Sequence, residues 1–555
     1  MKKAGNRILC SKGAAIHPGV PSFCPAGCAE KARQAKKTTS GSEGIMRAHR
    51  RFSVLLAVLL ILFPLVSVRA TQRLTILHVN DFHGRLFPYV DKAIDPSRLL
   101  GGAAYLAKQI EKERARNPEG AMLLSAGDMF QGTPVSNLFR GRPVLDLMNR
   151  LHFDVMALGN HEFDWGPEVL RGIVTAAQFP VLCANIVDDK GLFMEGVKPY
   201  VMIQRKGFKV AVIGVVTPEL LYMVNAKYLA HLTILEPVRV VPGLVRKVKR
   251  EGAQVVVLLT HLGLEQDKRL AAAMEGIDVI VGGHSHTVVM DPIVVGKTII
   301  VQAGYNGLYL GVLELALDER TGRIVDATRK SELRLVSAGE GDSFDKGVAQ
   351  IAESYNERIR DRFRQVVGET RVDLMRRADG ESALGDVITD AMRASTGADV
   401  ALHNSGGIRA DILAGPITME EVYTVLPFDD VVVTMDLKGS DLLEIFEKST
   451  SGNKGMLQVS GARIEYDPAS SADKKVTAVR IGGAPLGKDR TYRVSTNDFL
   501  AAGGDRFGTF GRGTNVVYGV DLREVFVEYV KAHSPLSLKG GERIIMRKPV
   551  LPGVP

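Results

Sequence analysis

"VMALGNHEFDWG", residues 155–166, is a short apolar run that stops at a glycine and then sets Asn160, His161, Glu162 and Asp164 within five positions. An unbroken aliphatic run of this length, bounded by turn residues, reads as a buried strand. Amide, imidazole and carboxylate groups crowded at its end read as ligands aimed into a cleft. The pattern recurs along the chain: "ILHVNDFHG" ends in Asp81 and His83, "LLSAGDMFQGT" carries Asp128, "VVLLTHLG" ends in His261, and "VIVGGHSH" ends in His284 and His286. In open α/β sheets ligands bind beyond the carboxyl ends of the strands, so five such ends predict one shared site. One Asp or His at a turn is an ordinary cap; the set of five is not.

Asp81, His83, Asp128, Asn160, His261, His284 and His286 are too many donors for one tetrahedral ion. With a bridging carboxylate they suit two cations about 3.5–4 Å apart, which together activate a water and clamp a phosphoryl oxygen. Oxygen and imidazole donors without a thiolate favour Zn²⁺, Mn²⁺ or similar ions, and imidazole disfavours a pure Mg²⁺ or Ca²⁺ site. His161, three residues before Asp164, can be oriented and held as a cation by that carboxylate, leaving its other nitrogen for the substrate. His78, inside its strand, reads as a core histidine, Cys183 as a small buried hydrophobe, and Trp165 as packing.

The 555 residues accommodate several domains at about 100–200 residues each, and a hydrophobic fraction of 45% supports real cores. The formal charge of +9 does not point to nucleic acid, because residues 1–70 hold twelve Lys/Arg against Glu30 and Glu43, which leaves the remainder at −1. A near-neutral body has no broad polyanion-binding surface. The charge belongs to a leader: Arg47, Arg50 and Arg51 precede an apolar stretch from Ser53 to Val68 that closes on Ala70, the pattern of a secretory signal peptide at about 47–70. Pro64 interrupts the stretch, which is short for a membrane span of about 20 residues; an uncleaved anchor is the alternative. Met46 sits just ahead of it, so residues 1–45 read as an over-extended start or a disordered extension. Cys10, Cys24 and Cys28 fall in the leader, leaving Cys183 without an intrachain disulfide partner. Residues 71–342 alternate strand and helix patterns, such as "KVAVIGVV" and "GLVRKVKREG", which predicts a layered α/β domain. The charged, proline-free stretch at 343–366 predicts a linker helix, and 367–555 a second, smaller α/β domain.

In order, DFHG, GDMFQGT, GNHEFDWG, THLG and GGHSH resemble the calcineurin-like metallophosphoesterases, and the later "NSGGIR", "LPFDD" and "NDFLAAGGDRF" narrow the resemblance to the secreted 5'-nucleotidase and UDP-sugar hydrolase family. It extends over nearly all of residues 72–545. The resemblance implies a layered β-sandwich with flanking helices, joined by a helix to a C-terminal substrate-binding domain. It implies one metal on Asp81, His83, Asp128 and His286, a second on Asp128, Asn160, His261 and His284, and transition-state stabilisation by His161 with Asp164. It further implies a base held between Phe428 and Phe499, ribose hydroxyls on Asp505, the base touched by Asn404, and phosphate on Arg409. The expected function is release of phosphate from nucleoside 5'-phosphates by an exported enzyme, with a small-molecule nucleotide as partner, no nucleic acid polymer, and no stable membrane insertion after signal cleavage.

Where the family shows E-x-N-x-G, this chain has "RRADGESALGD": Ala383 replaces the Asn and Asp386 stands where some members carry Arg. That thins the phosphate clamp, with Arg376 or Arg377 as candidates to compensate. The alternative readings keep the two metals but change the substrate to a UDP-sugar, a 2',3'-cyclic nucleotide or a sulfur ester; Asp164 weighs against the cyclic branch, which tends to carry Asn there. A non-catalytic nucleoside-binding protein is the third reading, and the intact ligand set speaks against it.

Overall fold

The structure, a computed structural model, describes residues 70–547 apart from 92–93, 326–329, 339–342, 453–454, 472–473, 539 and 541–542. The signal segment expected at 47–70 therefore lies outside the described residues except for Ala70.

Two six-stranded sheets build the first half. One runs in the order Lys330–Leu335, Tyr309–Asp318, Thr71–Val79, Ala121–Ser125, Val155–Ala157, Val181–Leu182. The other runs Ile293–Val295, Thr298–Val301, Val279–Val281, Val255–His261, Phe208–Val216, Tyr200–Arg205. Each contains four mutually parallel strands, with antiparallel strands outside them. Side chains alternate across a strand, so a two-sided apolar run buries both faces. Leu74 and Ile76 join Val210, Val257 and Val281 in a core between the sheets. Leu77 and Val79 point the other way, onto helices such as Ala103–Arg116 and Arg142–Arg150. Helices Pro237–Arg250 and Leu264–Ala273 cover the second sheet. The result is the layered sandwich the motifs imply, with the parallel strands of each sheet ending on the same side.

The second half centres on a five-stranded sheet, Leu457–Ser460, Val400–Asn404, Thr491–Asn497, Val431–Lys438, Thr514–Asp521. Helices Ala383–Thr396 and Leu522–His533 share one core with it, and Gly439–Thr450 another. Val400–Asn404 and Thr491–Asn497 are parallel neighbours, so the turns after Asn404 and Asn497 open at one end of the sheet. The stretch expected as a single linker helix at 343–366 is two: Lys346–Glu357, capped by Asp345 accepting from the Val348 amide, and Arg360–Phe363. The break lets Ile359 and Phe363 turn into the same core as Val348 and Ala352. Among the described residues no helix is long and apolar enough to cross a membrane.

Candidate active site

The strand ends are tied to one another before any ligand is considered. Asp81, His83 and Gly84 donate their backbone N–H groups to the carbonyls of Gly127, Asp128 and Met129 at 3.0, 3.1 and 3.0 Å, so the loops after the strands Thr71–Val79 and Ala121–Ser125 run side by side. Asn80 holds the loop after Thr298–Val301, accepting from the Ala303 amide at 2.8 Å and donating to Gly304 O at 2.6 Å. The His284 amide donates to Asp81 Oδ2 at 2.9 Å, which draws in the loop of His284 and His286. Asp81, His83, Asp128, His284 and His286 all have positive φ, between 50° and 76°. Non-glycine residues rarely adopt this conformation, and where they do the surrounding structure must enforce it.

Glu162 is part of that enforcement, and motif reading passed over it as one acid among several. It is 1% exposed and accepts from the amides of Asp128, Met129 and Gly159 at 2.9, 2.8 and 2.7 Å. Burial and the neighbouring Asp128 push its carboxyl up to about 7. Gly159 is required beside it, because a Cβ there would lie 2.2 Å from Asp128 Oδ1. The signal available in the sequence was its place directly after Asn160 and His161, at the start of the 3₁₀ turn His161–Phe163.

Two groups of donors result: Asp81, His83 and His286, and Asp128, His261 and His284, the ligand atoms of each lying within 4.8 Å of one another. His83 Nε2 is 3.0 Å from His286 Nε2, which is 3.2 Å from Asp81 Oδ1. His261 Nε2 is 3.0 Å from Asp128 Oδ2 and 3.2 Å from Asn160 Oδ1. Asp128 also groups with His83 and His161, which puts it between the two clusters. His261 Nδ1 donates to Ala126 O at 2.7 Å and His83 Nδ1 to Gln131 O at 2.9 Å. Both protons are thus fixed outward and both Nε2 lone pairs point inward, as metal-ligating imidazoles require. Burial opposes the ionised Asp128, yet His261 and His161 hold its carboxyl well below the usual range. Burial likewise opposes a charged His261, and Asp128 with Asp81 still raises it to about 10. Two buried carboxylates facing these imidazoles, with their ligand atoms gathered within 4.8 Å of one another, make oxygen and nitrogen donor sets that suit divalent metals.

His161 Nδ1 lies 2.6 Å from Asp164 Oδ2, and its amide donates to Asp128 Oδ1 at 2.8 Å. Burial lowers the His161 pKa, but Asp164 and Asp128 reverse the balance and raise it. Its ring meets that of Phe428, with centroids 5.8 Å apart and planes 23° from parallel.

One cavity of about 280 Å³ is lined by Asp128, Asn160, His161, Asp164, His284 and His286 together with Asn404, Arg409, Phe428, Phe499 and Asp505. Asp81, His83 and His261 lie buried beside these lining residues, at 0%, 5% and 0% exposed. Asn404 accepts from Asn497 Nδ2 at 3.0 Å and donates to Asp505 Oδ2 at 3.2 Å. Phe499 rests on Gly504, where a Cβ would come within 2.5 Å of the ring. Burial and nearby Arg376 lower the Arg409 pKa, and among the described residues no carboxylate bonds its guanidinium. Arg376 Nη1 donates to Arg409 O at 2.5 Å, whereas Arg377 turns to Asp379. Asp386 is off the cavity, with Arg543 Nε 3.5 Å away, yet burial pushes it up to about 8. Trp165, expected only to pack, also lines the cavity. His78 and Cys183 are buried in the cores, His78 against Gly311.

Such a sandwich, with its donors at converging strand ends and a His–Asp pair beside them, defines a metal-dependent phosphoesterase. The calcineurin-like phosphoesterase family model matches residues 74–288, and that of the 5'-nucleotidase C-terminal domain matches residues 366–512. Human 5'-nucleotidase is 31% identical over 82% of this chain and 87% of its own. The 5'-nucleotidase precursor of Thermus thermophilus superposes with a TM-score of 0.78 at 33% identity, over 86% of this chain and all of that one. Endonuclease YhcR of Bacillus subtilis is 31% identical over 83% of this chain, which spans only 40% of YhcR and 34% of a second relative from that organism. The chain belongs to the 5'-nucleotidase family.

Proposed function

We propose that this chain hydrolyses nucleoside 5'-monophosphates to nucleoside and phosphate, as an exported enzyme carrying two Zn²⁺, Mn²⁺ or similar ions. The observation that carries the reading is the single cavity shared by metal-site donors of the first half and Asn404, Arg409, Phe428, Phe499 and Asp505 of the second. Asp81, His83, Asp128 and His286 would hold one ion, and Asp128, Asn160, His261 and His284 the other. When bound, the ions supply an activated water and neutralise phosphoryl oxygens. His161, whose charged form Asp164 and Asp128 favour against burial, donates a hydrogen bond to the phosphoryl group as negative charge accumulates there. The buried guanidinium of Arg409 is a second, fixed counter-charge for the phosphate. Phe499 offers a ring face to the base, and Asp505, oriented by Asn404, accepts from the ribose hydroxyls. The contact between Phe428 and His161 brings the nucleoside end and the phosphoryl end of the cavity close together, which suits a monophosphate.

The test is to purify the protein, strip its metals, restore Mn²⁺, Zn²⁺ or Co²⁺, and assay AMP, ADP, UDP-glucose and 2',3'-cyclic AMP. AMP should give the highest kcat/KM and depend wholly on added metal. Preference for UDP-glucose or the cyclic nucleotide would replace the substrate while keeping the metal chemistry.

A further inference from the structure

The nucleoside end of the cavity is not made by the second half alone. Met223, Val224, Asn225, Lys227 and Tyr228 of the first half also line it, in a segment that carries no recognisable motif. Asn225 Nδ2 donates to Asp498 Oδ2 at 3.0 Å, and Lys227 Nζ lies 3.8 Å from the same oxygen. The other Asp498 oxygen accepts from the Val431 amide at 3.1 Å, so the residue preceding Phe499 is pinned from both halves. Asn225 is itself oriented, because its Oδ1 accepts from the Lys227 amide and caps the turn Ala226–Tyr228. A second tie lies nearby. Arg506 Nη2 donates to Glu219 Oε1 at 2.9 Å, and its guanidinium stands 5.0 Å from the Tyr222 ring centroid. Arg506 follows Asp505, and both have positive φ, 64° and 50°, a turn that needs outside support. At its far end the segment touches the catalytic turn: Tyr228 packs on Gly166, where a Cβ would lie 2.9 Å from the ring. Gly166 is two residues beyond Asp164.

We propose that residues 219–228 form a strap that ties the turns of Phe499 and Asp505 to the turn of His161 and Asp164, so that a bound nucleoside aligns the catalytic pair on its own phosphate. The proposal rests on the nucleotide reading above and adds the positioning residues Asn225, Glu219 and Asp498 to it. Binding energy from the non-reacting part of a substrate raises kcat only where it is transmitted to the reacting centre. The strap is the physical route for that transmission, and a baseless substrate cannot use it.

The test is a polarity swap in the full-length, metal-loaded enzyme. Asn225→Asp alone sets two carboxylates face to face and should lower kcat/KM for AMP by about 10-fold or more, the scale of a hydrogen bond to a charged group, with kcat falling as KM rises. Combining it with Asp498→Asn lets the amide donate in the reverse direction and should restore most of the loss. Hydrolysis of bis-p-nitrophenyl phosphate, which has no base or ribose, should fall by much less than that of AMP throughout, an arm that also reports on folding. A rise in KM with unchanged kcat, equal losses on both substrates, or no recovery in the double variant would each overturn the strap. Wild-type enzyme that does not prefer AMP to the baseless diester would instead overturn the nucleotide reading, and the strap with it.

Discussion

Replacing Glu162, in the ionised form that accepts from all three amides, by Gln removes one charge and turns one acceptor into a donor. Oε2 accepts from the Asp128 and Gly159 amides and Oε1 from the Met129 amide, so a glutamine that keeps its oxygen at the doubly bonded position turns its NH₂ group on the Met129 N–H. A hydrogen bond to a charged acceptor is worth about 1.5–3 kcal/mol, and a buried unsatisfied donor costs about 1–3 kcal/mol. The substitution should therefore cost roughly 3 kcal/mol or more within the turn that sets the Asp128 backbone, held at a φ of 54°. Part of that strain appears as lost metal affinity, for which changes behind a metal ligand typically cost 10–100-fold. The assay is metal titration of the stripped Glu162→Gln protein by calorimetry, alongside kcat for AMP at saturating metal. Affinity should fall by about 10–100-fold while saturating metal restores much of kcat. Unchanged affinity and unchanged Tm would refute the reasoning that Glu162 fixes the position of Asp128.

Asp128→Asn removes the carboxylate that stands between the two donor groups and should abolish turnover and lose at least one metal; two tightly held ions with near-normal kcat would contradict the bridging role. His161→Ala should lower kcat by about 10²–10⁴-fold, the usual contribution of a positioned acid or charge-stabilising group, with metal content unchanged by elemental analysis. Asp386 has a folded pKa of about 8 against an ordinary 3.8, so its contribution to stability is greatest below pH 4 and is lost as pH rises toward 8. Asp386→Asn should accordingly raise Tm at pH 8 and leave it nearly unchanged at pH 4, measured by calorimetry at both values.

Much of this site was legible because it sits at the ends of strands. Runs such as "TILHV" and "VVVLLTH" are largely apolar on both faces, which marks strands buried between layers, and the polar residues gathered at the end of each run mark where the sheet stops. Asp81, Asp128, Asn160, His261 and His284 follow from that logic. The linker at 343–366 was less legible: its helical spacing continues through Ile359, and only tertiary burial of Ile359 and Phe363 explains the break. The place of Glu162 directly after Asn160 and His161 marks it only as near the site; its role depends on three backbone amides that the fold brings to it. The strap at 219–228 is assembled across residues more than 270 positions apart, beyond the reach of any local pattern. Phe428 and Phe499 were expected as the two faces of one base sandwich. The structure lays Phe428 against His161, so loss of Phe428 would disturb chemistry as well as binding, and Phe499 is the cleaner probe.

In the proposed function one substrate is read by both halves, with phosphorus at the strand ends of the first and the nucleoside on the second. The measurement that addresses it most directly is the ratio of kcat/KM for AMP to that for bis-p-nitrophenyl phosphate in wild type and in Phe499→Ala. Stacking a base on an aromatic ring is worth roughly 1–3 kcal/mol, or about 5–150-fold. In Phe499→Ala the ratio should fall by an amount in that range, through KM for AMP, with the diester almost unaffected. A ratio that stays constant, whether both activities fall together or neither changes, would contradict it.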